Sequence, residues 1–306
     1  MSNSIAVIGE CMLELRPAVG EESSGSKPMV MGFGGDTLNT SVYLAREGVS
    51  VCYVTGLGDD PNSQWLINEW QREGINCSLI DQQANSVPGM YLIETDELGE
   101  RSFYYWRKGS PASKLFDDQQ KVNKLFGQLS KFDYLYVSGI SLAILPQASL
   151  ARLFESLSSY REAGGNIVFD GNYRPTLWKD KSVAQTAYKT MYQITDIALP
   201  TLEDEEMLFG FSSAEQVVES ITAHGVEEVV VKMGDEGCLS NNNNNNNEYV
   251  AACPTTAIDT TAAGDSFNAG YLAARFANDD CVSACKAGHA LASQVIQHKG
   301  AIIPRS

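Results

Sequence analysis

The chain has 306 residues, of which 43% are hydrophobic and 20% charged, enough apolar matter to bury a large core and too much for a disordered composition. A net charge of −16 argues against binding nucleic acid through a general basic surface, so an anionic ligand needs a local basic cluster. Seven cysteines without a CxxC pair point to free thiols in a reducing, cytoplasmic setting, and no apolar run reaches membrane-span length.

In chain order, SIAVIGE (4–10) predicts a buried first strand. RPAVGEESSGSKP (16–28) reads as loop, and the next segment as a glycine turn at 32–35 followed by a helix from about Asp36, with Leu38, Val42 and Ala45 on its apolar face. VCYVTGLGDD (51–60) is a strand and turn, and 61–74 a helix opened by Pro61 and stopped by Gly74. Residues 86–107 hold two alternating runs around a DELGE turn, a half-exposed β-hairpin. From residue 133 strands and helices alternate, which predicts an α/β fold: a parallel sheet with helices on both faces and the hairpin as an accessory sheet at one edge. The seven asparagines at 241–247 read as a hairpin tip without function.

Ligands bind at the C-terminal ends of parallel strands, and polar signals collect there: GE at 9–10, DGNYR at 170–174, PTLED at 200–204, KMGDEG at 232–237 and AAGD at 262–265. The chain lacks GxxxxGK[ST] and a complete GxGxxG, which counts against a P-loop or a nicotinamide oxidoreductase. In AAGD, Ala262, Ala263 and Gly264 let a phosphate approach the free N–H groups of a helix start. Asp265 beside them is either a general base or simply the helix N-cap. Strand parity puts Tyr105 and Arg107 on one face of the hairpin and Tyr104 and Trp106 on the other. Arg107 and Arg174 at ligand-side positions suggest a carboxylate-bearing substrate; the alternative for each is an ordinary ion pair. Cys281, Cys285 and His289 share a helix face, which we read as packing rather than a zinc site.

DTTAAGDSFNAGYL (259–272), together with GGDTLNTSVYLAREG (34–48) and GLGDD (56–60), resembles the two signatures of the ribokinase-like (PfkB) carbohydrate kinases. The resemblance implies a three-layer α/β/α sandwich, a single domain over 1–306, and a small β-sheet lid formed by about 12–34 and 87–108. It implies Asp265 as catalytic base with Ala262, Ala263 and Gly264 as the anion hole. Gly34, Gly35, Asp36, Asn39, Tyr91, Tyr105, Arg107 and Arg174 fall around the substrate, and Asn172, Lys232, Gly234 and Gly237 on the nucleotide side. Glu14 falls where some members bind sugar hydroxyls. Thr37 departs from the usual small residue. The family's NxxE metal motif is altered at both ends here, Thr201 to Asp204, leaving Asp204 to act on Mg²⁺ through water. GECMLEL, YLIETDELGERSFYYWR, NYRPTLW and GAIIPR further resemble the branch that uses ATP and Mg²⁺ to phosphorylate the six-carbon hydroxyl of 2-keto-3-deoxy sugar acids. The partners implied are a small sugar acid and ATP, with no nucleic acid and no membrane; the exposed edges of the lid sheet suggest a homo-oligomer. Two other readings stay open: a kinase of the same family acting on fructose, ribose or a nucleoside, and a non-catalytic sugar-acid-binding regulator.

Overall fold

The computed structural model describes residues 3–18, 25–95, 101–242 and 246–305. The strands are β1 (Ser4–Ile8), β2 (Met12–Pro17), β3 (Met29–Gly34), β4 (Ser50–Val54), β5 (Gly56–Gly58), β6 (Asp81–Gln83), β7 (Met90–Thr95), β8 (Arg101–Trp106), β9 (Tyr134–Ser138), β10 (Asn166–Asp170), β11 (Ile197–Ala198), β12 (Glu228–Lys232), β13 (Cys238–Asn241) and β14 (Asn247–Val250). The helices are α1 (Asp36–Arg46), α2 (Pro61–Arg72), α3 (Gln119–Leu129), α4 (Gly139–Ala143), α5 (Gln147–Glu162), α6 (Lys181–Tyr192), α7 (Leu202–Phe209), α8 (Ala214–Thr222), α9 (Ala263–Phe276) and α10 (Cys281–Val295).

Eight strands form the main sheet in the order β14-β13-β12-β11-β10-β9-β1-β4. It is parallel from β4 to β12, and β13 and β14 add an antiparallel edge. The parallel strands are near-continuous apolar runs because both faces are covered. Their period of two divides the core: Ala6, Ile8, Leu135, Val137, Ile167 and Phe169 enter one layer, whereas Ile5, Val7, Tyr136 and Val168 enter the other. The second layer holds α1, α9 and α10, and the chain end is tied to α1 through Tyr43 Oη to Ala301 O (2.6 Å) and Arg46 Nη1 to Ile303 O (2.7 Å).

The expected hairpin is β7–β8, and it belongs to a second, four-stranded sheet, β3-β2-β7-β8. Its register aligns Glu14, Tyr91 and Tyr105 across three strands on one face. The DELGE turn lies outside the described residues, as do the central asparagines of the 241–247 run, whose ends pair as Asn241 with Asn247.

Two local expectations are corrected. The glycines at 32–35 are not a turn: β3 runs straight through Gly34, which pairs with Met12. A β-carbon on Gly34 would meet Tyr91 Oη at 2.4 Å and one on Gly35 would meet Glu10 O at 2.3 Å, so close approach is what demands glycine there. The 16–28 loop also begins later than expected, because β2 continues to Pro17. No helix among the described residues is long and apolar enough to cross a membrane.

Candidate active site

A cleft of about 570 Å³ opens at the C-terminal ends of the main-sheet strands, bounded on its other side by the second sheet. Ala262, Ala263, Gly264, Asp265, Lys232, Asp170, Asp36, Arg107 and Arg174 all line it.

One wall is the start of α9. The residue that caps this helix is Ala262, in left-handed backbone (φ 62°) with no side-chain cap bond, and Asp265 is the third helical residue. The N-cap reading of Asp265 is therefore wrong: the left-handed kink at Ala262 begins the helix and frees the Asp265 carboxylate for the cleft. The N–H groups of Gly264 and Asp265 find no acceptor among the described residues, so they stand open at the positive end of the helix. Asn39 Nδ2 donates to Asp265 Oδ2 at 2.8 Å, and Thr40 Oγ1 donates to the Asp265 carbonyl at 3.3 Å, fixing α1 against α9. Burial drives the Asp265 carboxyl well above its usual range, the nearby Asp36 and Asp170 charges push the same way, and Asn39 and Lys232 oppose them.

Lys232 ends β12 inside the cleft. Only 7% exposed, it is no surface lysine: its Nζ donates to Asp170 Oδ1 at 3.1 Å and to Asn268 Oδ1 at 2.8 Å. Gly234 and Gly237 do not line the cleft. They shape the β12–β13 turn, both at positive φ, and a β-carbon on Gly237 would meet Val250 O at 2.2 Å.

The opposite wall carries the groups expected around a substrate. Tyr105 and Arg107 face the cleft, as parity required, while Tyr104 and Trp106 are exposed and do not line it. Tyr91 Oη donates to Glu14 Oε2 at 2.6 Å. Asp36 accepts from Asn172 Nδ2 at 2.8 Å, which ties the loop after β10 to the start of α1. Gly34, Gly35 and Asn39 line the same wall.

Both arginines are paired in this state. Arg107 donates to Glu10, which also accepts from Ser110. Arg174 Nη1 lies 3.3 Å from Asp204 Oδ1, with half of its side chain exposed to the cleft. Asp204 is thus engaged by a cation, and burial raises its carboxyl from the usual value. Glu203 is exposed, but Glu205 is not the solvated acid its position suggests: it is buried and accepts from Tyr192 Oη. Sequence reasoning noted GE and DGNYR but missed Glu10 and Asp170 as cleft residues; an acid at or just past the end of a buried strand was the available signal.

Among the described residues no group of three His, Cys, Asp or Glu is placed to hold a metal ion, which includes the Cys281–Cys285–His289 face. The cleft instead offers single carboxylates, Asp204 and Glu203, among its lining residues. That donor set suits Mg²⁺, which keeps several waters and takes one or two carboxylates together with phosphate oxygens.

The model of the pfkB family carbohydrate kinases matches residues 2–306. The chain belongs to the PfkB family of carbohydrate kinases. A PfkB relative from Escherichia coli K12 named 2-dehydro-3-deoxygluconokinase is 46% identical over 312 residues, covering 100% of this chain and 98% of the relative. The crystal structure of a PfkB protein from Polaromonas sp. JS666 superposes with a TM-score of 0.85 at 26% identity, covering 97% of this chain and 96% of that one. That of a ribokinase II from E. coli in complex with ATP and Mg²⁺ superposes with a TM-score of 0.83 at 22% identity, covering 98% and 94%. The PfkB kinase described here therefore has the ribokinase-like α/β fold expected from its sequence.

Proposed function

We propose that the protein transfers the γ-phosphoryl group of ATP to the six-carbon hydroxyl of 2-keto-3-deoxygluconate. The observation that carries this reading is the pairing of Asp265, beside open N–H groups at the start of α9, with two cleft arginines on the far wall. The name of the E. coli relative supports the substrate.

Arg107 and Arg174 receive the sugar carboxylate, and Tyr91, Tyr105 and the Asp36–Asn172 pair orient the hydroxyls. Asp265 takes the proton of the six-carbon hydroxyl as its oxygen bonds to the γ-phosphorus; the bond from phosphorus to the bridging oxygen breaks and ADP leaves. The N–H groups of Gly264 and Asp265 and the Lys232 ammonium meet the charge on the transferring group. Mg²⁺ bound to the phosphates, with Asp204 reached through water, would supply further charge neutralisation. The second sheet acts as a lid within a single kinase domain, excluding water from a phosphoryl group that water also accepts. Its exposed Met31, Tyr104 and Trp106 provide a surface for self-association, and seven free thiols fit the reducing cytoplasm.

The test is ADP release with ATP and Mg²⁺, comparing 2-keto-3-deoxygluconate with gluconate, fructose and ribose. Selective turnover of the keto-deoxy acid is expected; preference for a neutral sugar overturns the role given to the arginines. Asp265→Asn should lose roughly 10²–10⁴-fold in kcat, and a folded variant with native turnover overturns the mechanism.

A further inference from the structure

Behind the cleft, four buried side chains from four elements close a ring of hydrogen bonds. Lys232 Nζ, on β12, donates to Asp170 Oδ1 on β10 (3.1 Å) and to Asn268 Oδ1 on α9 (2.8 Å). Asn268 Nδ2 donates to Tyr136 Oη on β9 (3.0 Å), and Tyr136 Oη donates to Asp170 Oδ2 (3.2 Å). Lys232, the most exposed of the four, is 7% accessible.

Every direction in the ring is forced. An ammonium only donates, so Asn268 turns its carbonyl oxygen to Lys232 and its amide nitrogen to Tyr136. The phenol oxygen then accepts from Asn268, and its own proton is left for Asp170. Burial and the surrounding carboxylates hold the Tyr136 phenol well above its ordinary range, so that proton stays in place.

Two of the three Lys232 N–H bonds are thereby committed. Its Nζ sits 3.7 Å from the point a β-carbon of Gly264 would occupy, beside the open first turn of α9. Lys232 and Asp170 line the cleft, whereas Asn268 and Tyr136 do not. A free lysine on its flexible stem would be drawn to other carboxylates here, Asp204 and Asp265 as well as Asp170. An ammonium that swung to Asp265 would quench the base.

We propose that Tyr136 and Asn268 are positioning residues for phosphoryl transfer. The ring holds the Lys232 ammonium on Asp170 and off Asp265, with its remaining N–H directed to the phosphoryl group beside Gly264. This rests on the phosphoryl-transfer reading given above. The ring supplies in advance the ordering that a mobile cation would otherwise undergo during the reaction.

A double-mutant cycle tests it. Tyr136→Phe deletes both phenol bonds and keeps the aromatic volume. Its kcat should fall about tenfold while KM for the sugar acid stays within about twofold. Affinity for a non-hydrolysable ATP analogue should fall relative to that for ADP, a shift that loosened packing alone does not produce. In a Lys232→Met background, Tyr136→Phe should cost less than about twofold further, because the cation it positions is gone. An equal loss in both backgrounds overturns the proposal, as does an unchanged kcat for Tyr136→Phe alone. Thermal melting checks the fold, and Asn268→Ser takes its place in the cycle if Tyr136→Phe does not fold. Native kcat in Lys232→Met overturns the ring together with the role of Lys232, whereas native turnover in Asp265→Asn is what removes the parent mechanism.

Discussion

Asn39 Nδ2 stands 2.8 Å from Asp265 Oδ2, joining the first turns of α1 and α9 through residues 226 positions apart in sequence. The bond favours the ionised form of a carboxyl that burial and the Asp36 charge otherwise push toward the neutral form. Removing it in Asn39→Ala should raise the Asp265 pKa and move the acid limb of kcat/KM to higher pH. Asp36→Asn removes a neighbouring negative charge and should move the same limb to lower pH. A pH–rate profile of each variant checks both signs; shifts in the same direction would exclude Asp265 as the group that titrates.

The Arg107–Glu10 pair separates substrate binding from stability. Glu10 is 3% exposed, and burial raises its carboxyl despite Arg107 and Ser110. Arg107→Lys keeps a positive charge near Glu10 but loses the guanidinium fork, so KM for the sugar acid should rise about tenfold or more with the fold nearly unchanged. Arg107→Ala strands a buried carboxyl and should also cost about 3 kcal/mol of stability in a urea melt.

Glu205 links stability to pH. Burial raises its carboxyl from the usual 4.5 to about 7, with the hydrogen bond from Tyr192 opposing the rise and the Asp204 charge adding to it. A folded-state pKa above the unfolded one means that the folded chain holds the extra proton in this window. The stabilisation is complete below about pH 4.5 and is lost as pH rises through about 7. Glu205→Gln keeps an acceptor for Tyr192 and should flatten this slope, raising Tm above pH 7 relative to the parent. Melting curves from pH 4 to 9 would show it.

Ala262 holds φ 62° with no side-chain compensation at the start of α9. Ala262→Gly removes the β-carbon clash of the left-handed region and should stabilise by up to about 1 kcal/mol. A lower Tm would mean that the alanine methyl contributes packing that outweighs the strain.

Much of the site was legible because its signals are local. Small residues before a helix marked 262–265, and strand parity placed Tyr105 and Arg107 on the cleft wall. What was not legible depends on partners supplied by distant chain. The glycines at 32–35 looked like a turn because nothing nearby reveals the approach of Tyr91 and Glu10. The partner of the buried Glu205 is not legible nearby either, because only the packed α6 brings Tyr192 to it. The Tyr136–Asp170–Lys232–Asn268 ring depends on the lateral order of β9 to β12, which no motif encodes.

The two walls of the cleft leave the ribosome at different times. The acid and arginine wall, with α1, is made first, while Asp265, Asn268 and the tail that ties Ala301 and Ile303 to α1 come last. A nascent chain that has not yet released α9 lacks one wall of the cleft, and its Lys232 has no Asn268 to bond. Completion of the cleft therefore waits on the synthesis of α9, which closes it.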